Sequence, residues 1–150
     1  MQHHNGWLAL GVVAAIGGLT GCAVAHTAPD GAGVPAIVEP IQGTSLHRLI
    51  LTAQAVGRLG IQTTPVRQVT AAAGGETVVP VSAVLYDSEG QTWTYTNPQT
   101  RTYVRQRVVV GRIDNGQWVL RSGPAPGTPV VTVGAAELLG TEDGVDGAGQ

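Results

Sequence analysis

The chemistry open to this 150-residue chain starts with one cysteine, Cys22, and four histidines, His3, His4, His26 and His47. A single cysteine allows neither an internal disulfide nor a paired-cysteine metal site. A metal centre needs about three or four converging ligands. His26 and His47, with scattered acids, offer no such spacing, and the lone methionine at position 1 leaves no thioether copper site. A nucleophilic enzyme needs a serine or cysteine beside a base. Ser45, Ser82, Ser88 and Ser122 all lack the G-x-S-x-G setting of a nucleophile elbow. Glu142, Asp143 and Asp146 cluster near the C-terminus and read as part of a tail. No catalytic residue, cofactor or metal is expected. The formal net charge of -2 lacks the basic excess of a nucleic-acid binder.

Cys22 has a different use. Residues 7–18, WLALGVVAAIGG, form an apolar run. A membrane-spanning helix needs about 20 such residues, whereas the apolar core of a secretory signal needs about 7–15. Leu19-Thr20-Gly21-Cys22 follows directly. One aliphatic residue, two small residues and a cysteine resemble the bacterial lipobox. The preceding residues, MQHHN, carry no Lys or Arg, unlike the usual signal start. The resemblance implies that residues 1–21 are a lipoprotein signal peptide and that the Cys22 thiol carries diacylglycerol. It also implies an acylated new amine. Two or more acyl chains anchor a protein stably where one does not. The expected localisation is extracytoplasmic, on the cell membrane, through a lipid anchor.

After the anchor, residues 22–36 are small and Pro/Gly-rich and read as a disordered, flexible tether. Residues 37–70 read as strand, helix and strand. Thr52 suits a helix N-cap and Gly60 a stop, and Pro65 places the following strand at a sheet edge. His47 is expected as a partly exposed strand residue. Residues 77–139 read as a β-meander. TVVPVSAVLY forms one strand, QTWTYT a second and RTYVRQRVVVGRI a long third. Asp114-Asn115-Gly116 marks a hairpin, and two further strands follow around PAPG. AAELLG reads as a short helix, and residues 140–150 as a disordered acidic tail. The fold class is mainly β, a small barrel or meander with a short helix.

Two segments carry a second resemblance. LTAQAVGRLGIQTTPV at 51–66 is similar to the entry into the β-barrel of efflux-pump periplasmic adaptors, the membrane fusion proteins. Residues 79–139, opening VPVSAVLY and closing VVTVGAAELL, resemble the membrane-proximal β-domain of the same family. Ser82 falls on a recurrent, structural position of that pattern. The lipoyl and α-hairpin domains of a full adaptor have no room in RQVTAAAGGET. The resemblance implies a non-catalytic, adaptor-like accessory of a transport system. Its partners would be the membrane, through the anchor, and an inner-membrane transporter permease. The alternatives are a stand-alone ligand- or cell-wall-binding lipoprotein and a degenerate adaptor fragment.

Two residue sets are the binding candidates. Arg101, Tyr103, Arg105 and Arg107 share one face of a strand by the period-two rule, a basic ribbon for lipid head groups or a partner. Trp93, Tyr95 and Trp118 are the large aromatics of the meander, read as core or as a ligand-stacking surface.

Overall fold

The computed structural model describes residues 34–71 and 74–147. The expected signal peptide, the lipobox-like residues Leu19, Thr20, Gly21 and Cys22, and most of the expected tether lie outside the described residues. The fold is mainly β, with eleven antiparallel strands in two sheets and two helices among the described residues.

The strands are β1 (Ala36–Pro40), β2 (His47–Leu51), β3 (Gln62–Pro65), β4 (Arg67–Ala71), β5 (Gly74–Pro80), β6 (Leu85–Tyr86), β7 (Thr92–Gln99), β8 (Thr102–Arg107), β9 (Val109–Asp114), β10 (Gln117–Ser122) and β11 (Pro129–Val133). Helix α1 spans Ala53–Leu59 and α2 spans Ala135–Gly147. The larger sheet runs β1-β2-β8-β7-β11-β3, with β6 also on β7. The smaller runs β4-β5-β10-β9. Neither sheet closes on itself among the described residues, so the barrel expectation is corrected to two open sheets. Pro65 sits on the terminal strand β3, where a missing N–H costs no ladder bond.

The expected long strand 101–113 is two strands. β8 belongs to the large sheet and β9 to the small one. The chain turns between them at Val108, which is buried. Its N–H donates to the Thr92 carbonyl at 3.0 Å, and its carbonyl accepts the Thr92 hydroxyl at 2.8 Å. Val66 makes the same change of sheet between β3 and β4. Its N–H donates to the Thr128 carbonyl and its carbonyl accepts from the Gly127 N–H, both at 2.8 Å. At each corner, backbone groups that leave one ladder are paired before the next begins. The expected strand 77–86 also breaks, at a single 3-10 turn over Val81–Ala83. Segments 37–70 and 77–139 share the large sheet: β2 pairs with β8 and β3 with β11.

Two cores follow from this layout. Val66, Val79, Ala83, Val84, Val108, Leu120 and Val130 fill the corner between the sheets. Leu49, Leu51, Tyr95, Tyr103 and Val131 of the large sheet pack against Ala55 of α1 and Ala135 and Leu138 of α2. Each fully buried leucine of this set contributes about 1.5–3 kcal/mol. Helix α1 is delimited as its sequence suggests. The Thr52 hydroxyl accepts from the Ala55 N–H at 3.1 Å, and Gly60 closes the helix in the left-handed region.

Helix α2 corrects the reading of a disordered tail for residues 140–147, while 148–150 lie outside the described residues. It continues to Gly147 because Leu138 and Glu142, four residues apart and so on one face, are both fully buried. Among the described residues, no helix is long and apolar enough to cross a membrane.

Candidate functional site

The face of the large sheet beneath α2 holds the densest polar chemistry of the domain. Glu142 descends from α2 onto β2, β7 and β8 with none of its side chain exposed. Its Oε2 accepts the Tyr95 hydroxyl at 2.5 Å, and its Oε1 accepts the His47 backbone N–H at 3.2 Å. Arg105 Nη2 lies 3.4 Å and His47 Nδ1 3.7 Å from Oε1. One carboxylate thus draws donors from three adjacent strands. Burial, and then the hydrogen bond to Glu142, push the Tyr95 hydroxyl far above the usual tyrosine range, so it remains a donor. Burial alone raises Tyr103.

The Arg105 guanidinium also stacks over Trp93, 4.8 Å from the ring centroid, a geometry in which the ring face attracts the cation. The Trp93 indole N–H donates to Asp87 Oδ2 at 2.8 Å. Asp87 Oδ1 caps the turn before β7, accepting from the N–H groups of Gln91 at 2.8 Å and Glu89 at 3.0 Å. The indole hydrogen bond, aided by the two backbone N–H groups and by Arg105, holds this carboxyl below the ordinary aspartate value of 3.8. A cleft of about 510 Å³ opens over this chain of contacts, lined by Tyr86, Asp87, Glu89, Trp93, Arg105 and Asp143 among others.

The basic ribbon is corrected. Arg105 and Tyr103 do share a face, but it is the covered one, where α2 and Glu142 sit. Tyr103 is 4% exposed and opposes Leu49, and Arg105 opposes Tyr95. Arg101 stands in the β7–β8 turn with φ +59°, and Arg107 is exposed at the far end of β8. Elsewhere, Arg112 forms a two-pronged pair with Glu76, at 2.9 and 2.8 Å. Of the aromatics, Trp93 lines the cleft, Tyr95 lies buried beneath Glu142, and Trp118 packs on the corner core. They form no common stacking surface. His47 opens β2, half-buried beside Glu142. Sequence reasoning missed Glu142. Its signal is the spacing Ala135, Leu138, Glu142, an apolar helical stripe whose last place is taken by an acid.

No protein-family model and no curated protein matches the chain. Among the described residues, no group of three or more His, Cys, Asp or Glu is placed to hold a metal ion. The arrangement around Arg105 is suited to recognition and to locking α2, with Glu142 as an acceptor of fixed hydrogen bonds.

The Asp87 contacts give a pH dependence of known sign. A carboxyl depressed in the folded state stabilises it fully above the ordinary value of 3.8, and that contribution is lost as pH falls through the lower folded-state value. The Trp93 indole N–H resonance is therefore expected to stay in place from neutral pH down to the ordinary aspartate range and to move only beneath it. Asp87→Asn should abolish that movement. A transition centred at or above the ordinary value would refute the Trp93–Asp87 bond.

Proposed function

We propose that the protein is a lipid-anchored extracytoplasmic lipoprotein that serves as a non-catalytic, adaptor-like accessory of a transport system, with efflux as the class of transport. The observation that carries this reading is Leu19-Thr20-Gly21-Cys22 at the end of an apolar run too short to span a membrane. The β-domain that follows supports it through the adaptor-like pattern of residues 79–139. The stretch 23–35 reaches at most about 45 Å, so the domain works close to the bilayer. Its mechanism is docking on a permease at the high local concentration that the anchor provides. Arg101, Arg107 and Arg121 are exposed and available to such a partner.

The test combines anchoring with capture. Cys22→Ser should move the protein from the membrane fraction to the soluble extracytoplasmic fraction, with the folded domain intact. Photo-crosslinkers at 101, 107 and 121 in the anchored protein should capture a transporter permease. Retention of the serine variant in the membrane would overturn the anchor, and capture of lipid alone would overturn the adaptor role. The cleft beside Trp93 favours a second reading, a stand-alone binding lipoprotein. Trp93 fluorescence that responds to a soluble cell-wall fragment, with no permease captured, would select it.

A further inference from the structure

We propose that the corner formed by Tyr95, His47 and Arg105 is a carboxylate-binding site that the chain fills with its own Glu142, which makes α2 a displaceable plug. The donors come from the sheet and the acceptor from the helix. The Tyr95 hydroxyl, the His47 backbone N–H and the Arg105 guanidinium stand on β7, β2 and β8, three neighbouring strands. They converge on the two oxygens of one carboxylate. Charge-assisted bonds of this kind are the strong ones, and a guanidinium beside a hydroxyl and an amide N–H discriminates a carboxylate from a neutral group. Arg105 Nε is buried with no hydrogen-bond partner among the described residues, so the site retains an unused donor.

The plug is weak as a helix. Gly140 and Gly144 interrupt its thirteen residues, each about 1 kcal/mol poorer than alanine in a helix interior. Its last turn holds no basic residue to meet the negative end of the helix dipole. Ala135 and Leu138 are its buried apolar anchors, both at its start. Beyond Leu138 the helix is held by Leu139, half-buried against the same core, and by Glu142, and Asp143 and Gly144 are exposed. Local opening of such a segment needs far less free energy than unfolding the sheet beneath it. When the distal part of α2 lifts, the three donors face the cleft, and Arg105 already lines its wall. A carboxylate from another molecule can then take the place of Glu142. The ligand class is a carboxylate, from a small acid or from an acidic protein segment.

The test uses the full chain. Glu142→Ala leaves the donors in place and removes their acceptor. Its thermal midpoint should rise with sodium acetate and not with sodium chloride at equal ionic strength, while the wild-type midpoint stays put because its site is filled. Equal midpoints of the variant in the two salts, or an equal acetate effect on wild type and variant, would overturn the proposal. Glu142→Gln keeps the shape and supplies a second reading if the alanine variant does not fold. Hydrogen exchange of amides 138–144 should quicken about tenfold or more, the equivalent of one lost charge-assisted bond, while β7 and β8 amides keep their rates. Acceleration of helix and sheet together would show that α2 opens only with the whole domain and would refute the plug. On wild type, acetate and a hexaglutamate peptide separate the two sources. The competitor that quickens exchange in α2 names the ligand, and no effect from either overturns displacement.

Discussion

Glu142→Ala is expected to lower the unfolding free energy by about 3 kcal/mol, measured by urea denaturation. Removing one partner of a buried ion pair typically costs about 3–5 kcal/mol, because the other charge is left without compensation. Here that charge is Arg105, whose side chain is 13% exposed. The lower end of the range applies because α2 can lift, after which water reaches the guanidinium. The loss is therefore capped by the free energy of opening α2. Arg105→Ala isolates the carboxylate instead, and it also strips the cation from Trp93. The two losses should not add. The double variant should lose less than their sum by about 0.5–3 kcal/mol, the usual coupling of groups in contact.

Replacing both charges with apolar residues separates charge from hydrogen bonding. In Arg105→Met/Glu142→Leu no charge remains buried, and such exchanges are often neutral or stabilising. The Tyr95 hydroxyl and the His47 N–H, however, lose their acceptor, at about 1–3 kcal/mol for each buried donor left unmade. Adding Tyr95→Phe removes one of those donors and should return part of the loss. If adding Tyr95→Phe to the pair variant returns none of the loss, the Tyr95 bond to Glu142 contributes nothing. If Glu142→Ala unfolds at the wild-type urea concentration, the buried cluster is not what holds the helix.

The sequence made the local signals legible. The hydroxyl of Thr52 and the left-handed stop at Gly60 bracket α1. Asn115 and Gly116 both have positive φ, as the hairpin signal required. Pro65 marks a sheet edge. The corners at Val66 and Val108 were not legible, because a buried valine reads as an ordinary strand residue wherever it stands. What turns the chain there is the pairing of its N–H and carbonyl with residues distant in sequence, Thr128 and Gly127 in one case and Thr92 in the other. The same limit hid the site. Period two correctly put Tyr103 and Arg105 on one face, but it carries no information on whether that face is covered. A helix lies over it, and that helix reads as a polar tail because glycines and acids dominate its second half. The decisive feature is tertiary: the acid in the place of a leucine meets an arginine, a tyrosine and a backbone N–H from three strands.

Gly134→Ala is expected to cost about 2–5 kcal/mol, the sum of a backbone and a packing effect. Gly134 joins β11 to α2 with φ +86°, and its carbonyl accepts the Leu138 N–H at 3.1 Å in the first turn of the helix. A side chain disfavours that φ by roughly 1–2 kcal/mol. A Cβ at this position would also stand 2.8 Å from Ile61 Cγ1 and 3.5 Å from the Ile61 Cα. Relief requires the Ile61 side chain or the joint itself to shift, and overpacking of this kind costs about 1–3 kcal/mol. Because Gly134 aims α2, the shift is carried along the helix to Glu142. Ile61→Ala removes the obstructing Cγ1, so measured against Ile61→Ala alone, Gly134→Ala should cost only its backbone part. A double variant that loses the full sum would show that the φ requirement alone holds this position. In either case the Trp93 indole resonance should move in Gly134→Ala, since Glu142, Arg105 and Trp93 are in sequential contact. An unmoved resonance together with an unchanged urea midpoint would mean that the β11–α2 joint does not set the position of the helix.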